Sequence, residues 1–305
     1  MKSLSVTLAA LTLLLVLAPS PRAQEASSSA EETVDPAEME KKFMEHVEGF
    51  GWEREGAGKL KSEAEITIPP GYRFTGTKGT QQLMEVYGNP KTDREYGLIA
   101  PESLDWFVVF EFEKSGYVKD DEKDEINDAF ARKLLKSMQD NDKASNAQRR
   151  ELGYPALHTR GWAKPPFYNE ATNNLEWALD LESEDGGRTI NFNTRLLGRY
   201  GVMESVLVCD PEQLDAVMPE YQNLIAGFQY RGGHRYAEYK SGDKVAKYGL
   251  TALIVGGGAA VAAKTGLLAA FAKAIAKGGK AIVVGIVALF AGIWKAIKRF
   301  FGHGD

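Results

Sequence analysis

The chain has one cysteine, Cys209, among its 305 residues, so no internal disulfide can staple it. Cys209 ends the run SVLV and reads as a small apolar strand residue, the usual role of a free thiol. A chain this long can bury a core without disulfides, even in an oxidising compartment. Histidine is almost as scarce. His46, His158, His234 and His303 are scattered and lack metal-ligand spacing. Ser205 sits in MESVL rather than in a Gly-x-Ser-x-Gly elbow, and no Gly-x-x-x-x-Gly-Lys-Ser/Thr phosphate loop occurs. These absences point to no catalytic residue, no metal ligand and no cofactor.

Positive charge is outnumbered in the body of the chain. The overall charge is −5, yet residues 240–305 hold ten Lys and Arg against Asp243 and Asp305. With Lys2 and Arg22 of the leader also set aside, residues 24–239 carry −15. An acidic body argues against nucleic acid as a partner, because phosphate requires a basic face.

What is present is a sequence in three parts. MKSLSVTLAALTLLLVLAPSPRA, residues 1–23, has the anatomy of a secretory signal: Lys2, an apolar run to Ala18, and helix-breaking Pro19 and Pro21. Cleavage after Ala23 is favoured over retention as an anchor. Residues 24–37 read as a polar linker. Residues 38–239 form the expected extracytoplasmic domain, and 240–305 the expected membrane anchor.

The tail has no charge over 248–263 or over 281–294. Its anchor segments are therefore expected at 248–263 and 281–297. At 1.5 Å per residue each uncharged run is somewhat short of a hydrocarbon core of roughly 30 Å, and Lys264 and Lys295 extend them by snorkelling. A hairpin of two spans is favoured over one span, because 248–263 is too apolar all round to lie at an interface. Gly256, Gly257, Gly258, Ala262, Gly285 and Gly292 are small enough for close helix packing within the membrane.

Within the domain, Thr80–Tyr87 predicts a short helix stopped at Gly88. In DWFVVFEFEKSGYVKDDEKD, residues 105–124, the side chains Trp106, Val108, Phe110 and Phe112 share one strand face. Phe107 and Val109 share the other, which the alternation turns outward at Glu111 and Glu113. The acids Asp120, Asp121, Glu122, Asp124 and Glu125 precede the helical spacing Ile126, Phe130, Leu134, Met138, where a helix dipole would stabilise them. A calcium loop counted from Asp120 would need Gly at Glu125 and Glu at Ala131, and it fails at both.

Strands are expected at 157–164, 174–183, 188–198 and 202–209, with a hairpin turn at Asp185-Gly186-Gly187. Asp210-Pro211 opens a last helix through Ile225, and FQY at 228–230 returns as a strand. Gly-Tyr at 71–72, 116–117 and 153–154 reads as a turn device. Strands in sequence with helices set to the sides predict an α+β fold with a mostly antiparallel sheet.

Aromatic residues supply the candidate interaction surface. Trp162, Phe167 and Tyr168 surround the Pro pair of GWAKPPFYN, and Tyr117 sits in the Gly-Tyr turn. A hydrolytic site assembled in space from His158, Asp180 and Glu182 is the rival reading.

The strings DWFVVFEFEKSGYVKDDEKD, NAQRRELGYPALHTRGWAKPPFYN, LEWALDL, INFNTRLLGRYGVMESVLV and KVAKYGLTAL resemble the bacterial membrane-anchored proteins of domain of unknown function 2167. The resemblance implies a periplasmic domain on the inner membrane and carries no activity. The element order also looks like the α/β/α sandwich of Mog1/PsbP-type domains. The function expected is a noncatalytic binding or scaffolding module of the bacterial envelope. Its partners would be inner-membrane lipid and an envelope protein. An envelope hydrolase is one alternative, and a membrane-remodelling protein acting through its tail is another.

Overall fold

The computed structural model describes residues 36–254, apart from 88, 90, 91, 152, 154 and 185. The described residues begin with helix α1 (Pro36–Glu48), strands β1 (Ala57–Leu60), β2 (Ala64–Thr67) and β3 (Tyr72–Gly76), and helix α2 (Thr77–Val86). Strands β4 (Glu95–Pro101) and β5 (Phe107–Glu113) and the long helix α3 (Asp128–Glu151) follow. Next come β6 (Leu157–Asn169), β7 (Asn174–Ser183), β8 (Arg188–Leu197) and β9 (Val202–Cys209). Helix α4 (Leu214–Ala226), strand β10 (Phe228–Tyr230) and the short helix α5 (Leu250–Ile254) complete the described residues.

Seven strands form one sheet in the order β3-β4-β5-β9-β8-β7-β6, and every neighbouring pair is antiparallel. A second antiparallel sheet holds β1, β2 and β10. The α+β antiparallel expectation therefore stands, with the final strand FQY placed in the smaller sheet.

Two faces of the large sheet are buried. On one, Val108, Phe110, Phe192, Met203 and Leu207 pack against Leu60 and Ile66 of the small sheet and against Val217, Tyr221 and Leu224 of α4. The other face is covered in two separate places. Val47 of α1 with Leu83 and Met84 of α2 cover Leu98, Phe107, Val109, Val206 and Val208. Leu134 and Met138 of α3, joined by Leu250, Leu253 and Ile254 of α5, cover Leu175, Trp177, Leu179 and Leu181. Burial of both faces accounts for the largely apolar run of β9, VMESVLVC, buried at every position including Glu204 and Ser205. Cys209 is part of this core, and burial pushes its thiol up to about 12.

Two local expectations need correction. Glu111 does not face solvent. It is 3% exposed, because β5 lies between β4 and β9 and its second face is covered as well. The acids at 120–125 do not occupy the first turn of α3 either. They lie in the preceding loop and a 3-10 turn at Lys123–Glu125. The helix start is instead held by the Asn127 carboxamide oxygen, which accepts from the Ala129 and Phe130 N–H groups at 3.1 and 3.2 Å. The Gly-Tyr turns do share a backbone device: Gly71, Gly116 and Gly153 have φ of 83°, 97° and 80°.

Among the described residues, no helix is long and apolar enough to cross a membrane. The expected signal, 1–23, lies outside them, as does the tail beyond 254 with Gly256, Gly257, Gly258, Ala262, Gly285 and Gly292.

Candidate functional site

Between the two helix-covered areas runs a buried polar stripe. Strict alternation sends Asn191, Asn193 and Arg195 of β8 to the same face as Glu204 of β9 and Glu111 of β5. Glu95 pairs opposite Glu111 and is fully buried. Arg94, just before β4, bonds to Glu204 and lies 3.3 Å from Glu111. Arg195 meets the second Glu204 oxygen at 3.0 Å and stacks over Trp177 with 4.6 Å to the ring centroid. Burial, and then the charge of Glu204, push the Glu111 carboxyl up to about 8. Sequence reading missed this stripe because its members come from four segments. The legible signal was two acids, Glu111 and Glu204, within otherwise apolar strands.

A second assembly begins after Tyr230. The chain passes from the small-sheet side to the opposite face as a strap, residues 231–249, and ends in α5. The Arg199 N–H donates to the His234 carbonyl at 2.8 Å. The Arg199 guanidinium grips both Asp243 oxygens at 2.7 and 2.8 Å and holds that carboxyl well below its ordinary value. Tyr117 forms a parallel bridge with Val245, through Tyr117 N to Lys244 O and Ala246 N to Tyr117 O, each 2.8 Å. Tyr248 then donates to Glu113. Glu122 accepts from both the backbone N–H and the hydroxyl of Thr251, at 3.0 and 2.6 Å. Two acids of the 113–125 stretch thus hold the root of the apolar tail.

The strap also gathers tyrosines. Tyr117 stacks on Tyr236 at 4.5 Å and packs at a tilt against Tyr239 at 4.3 Å between ring centroids. Tyr168 donates to Asp120 at 3.0 Å and neighbours the same group, while burial drives the Tyr168 and Tyr236 phenols far above their ordinary range. Tyr239 is 37% exposed. Of the four expected surface residues, the fold brings Tyr117 and Tyr168 together and separates the other two. Trp162 is half-buried under α3, its indole N–H donating to the Ala131 carbonyl at 3.1 Å. Phe167 is half-buried on the other side of the sheet, beneath the Lys164 ammonium at 4.0 Å. Tyr236 and Tyr239 were not foreseen, because nothing local shows that residue 117 will meet the strap.

His158 and Glu182 are direct register partners on β6 and β7. Arg160 holds Glu182 at 2.7 Å and Arg188 holds Asp180 at 2.7 Å, so both carboxylates of the rival site already have cationic partners.

The fold and these assemblies define an α+β domain whose antiparallel sheet encloses a charged stripe and binds its own C-terminal strap. Residues 53–290 match the family described as "Protein of unknown function (DUF2167)", and the chain belongs to that family. A search of curated proteins found no match. Among solved structures, cyanobacterial PsbP (CyanoP) from Synechocystis sp. PCC 6803 aligns with 10% identity and a TM-score of 0.34. The alignment covers 60% of this chain and 96% of that one. That likeness is too slight to carry a fold assignment, and the architecture rests on the strand order itself.

Proposed function

We propose that this protein is a noncatalytic binding module of the bacterial envelope, tethered to the inner membrane by its C-terminal apolar segments. Its partner docks on the tyrosine group at the strap. The observation that carries this reading is the convergence of Tyr117, Tyr168, Tyr236 and Tyr239 from three separate segments, with Tyr239 left at the surface. Aromatic residues with a polar tip are enriched where proteins meet partners. The leader, the acidic body and the basic apolar tail support the envelope placement. Arginine pairing of Asp180 and Glu182 favours binding over hydrolysis, because both carboxylates are already engaged by guanidiniums of the fold itself.

A photoreactive residue placed at position 239 of the full chain in living cells tests the docking face. A discrete adduct at 239, missing when the same residue replaces the exposed Lys59 of β1, is expected. No adduct at 239, or the same products at both positions, would refute the assignment.

A further inference from the structure

The polar stripe holds more carboxylates than cations. Glu95, Glu111 and Glu204 face two guanidiniums, Arg94 and Arg195, and all three acids are at most 7% exposed. Arg94 is already shared between Glu111 and Glu204 and also feels Glu113 at the strand end. Arg195 gives one nitrogen to Glu204 while its Nε and Nη1, both buried, have no hydrogen-bond partner; neither does Glu95 Oε2. A third full negative charge therefore has no cation of its own, and burial makes an unbalanced charge costly.

We propose that the stripe is a proton-binding site with Glu111 as its acid, and that loss of the proton loosens the strap at Tyr248. The groups that face Glu111 are Glu95 and Arg94 from the β4 side, Glu204 on β9 and Arg195 on β8. Glu113, two residues along β5, joins this set to the strap through the hydroxyl of Tyr248, which also neighbours Glu204. With the proton bound, the stripe is electrically balanced. When Glu111 ionises, its proton passes to solvent and the added charge sits beside Glu204, Glu95 and the Glu113–Tyr248 contact. Mutual repulsion then opposes the packing that seats Leu250, Leu253 and Ile254. The proposal concerns regulation of the strap and stands or falls independently of where the protein resides in the cell.

Hydrogen exchange of the full chain in detergent, followed over residues 244–254 from about pH 7 to about pH 9 and corrected for intrinsic rates, tests it. Protection of that segment in the wild type should drop about tenfold across the range. The Glu111→Gln variant keeps the shape, cannot ionise, and should hold its protection constant. Equal pH dependence in both, or none in the wild type, would overturn the proposal. An infrared spectrum of the wild type supplies a readout that does not depend on the variant folding. A buried protonated-carboxyl band should be present at neutral pH and vanish in alkali, and its absence at neutral pH would equally overturn the proposal.

Discussion

The Asn146 side chain bonds to both backbone groups of Leu157, donating to its carbonyl and accepting from its N–H at 2.8 Å each. A helix side chain here stands where the next strand would be. Asp142, one turn earlier on α3, accepts from the Thr159 N–H at 2.7 Å and from its hydroxyl at 3.0 Å. Gln139 donates to the Thr159 and Arg160 carbonyls at 3.1 and 3.3 Å. The first half of the edge strand β6 is thereby closed to further pairing. Its second half is blunted by register shifts and by Pro165-Pro166.

Replacing Asn146 with Ala should leave both Leu157 groups buried and unpaired. At about 1–3 kcal/mol for each unmade bond, the loss should be about 2–6 kcal/mol. Urea titration reads it as a lower midpoint at unchanged slope.

Arg195 is the second test. Changing it to Met removes one of the two cations that hold Glu204 and should cost about 3–5 kcal/mol, as expected for breaking a buried pair. Adding Glu204→Gln should recover part of that loss, since the two side chains act as a unit. Full additivity of the two changes in a denaturation cycle would contradict the assigned network.

Stability should fall as pH rises from about 5 to about 8. The folded Glu111 carboxyl, raised to about 8, keeps a proton that the unfolded chain releases near 4.5. Between those values the native state binds more protons, so its margin shrinks by at most about 1.4 kcal/mol per pH unit. Below the lower value the contribution is constant. The difference between wild type and Glu111→Gln, measured by thermal unfolding against pH, isolates this slope from that of other groups.

Gly116 tests the strap. Its φ is +97°, and a Cβ there would lie 2.5 Å from the Lys244 carbonyl oxygen. Gly116→Ala should cost about 1–3 kcal/mol through backbone strain and displacement of the strap. Tryptic cleavage at Lys244 and Lys247 should accelerate accordingly. Gly242→Ala, at a similar φ of +98° with open space around it, should cost less.

The sequence made some of this legible and hid the rest for physical reasons. Strands β7 and β9 end at the residues expected, 174–183 and 202–209, because turns bound uninterrupted β-forming runs. The apolar spacing of α3 stops at Met138 although the helix continues to Glu151. Beyond Met138 its inward face is Gln139, Asp142 and Asn146, which bond a sheet edge rather than enter a core. Helix α1 and strands β1, β2 and β4 went unforeseen. The strands β1 and β2 are only four residues each, too short to show a period. Outward polarity was expected at Glu111 because alternation cannot reveal that a second layer covers the strand. The candidate site was half legible: Tyr117 and Tyr168 were singled out, while their partners lie on a strap whose path depends on the tertiary fold.

The central claim, an extracytoplasmic domain held at the inner membrane, is tested most directly by labelling a Ser241→Cys variant with a membrane-impermeant maleimide in intact spheroplasts. Ser241 is exposed, and the buried Cys209 does not compete. Labelling before lysis, on a chain that sediments with the inner membrane and has lost residues 1–23, is the predicted result. A protein that labels only after lysis and stays in the cytosolic fraction with its first residues intact would contradict the account.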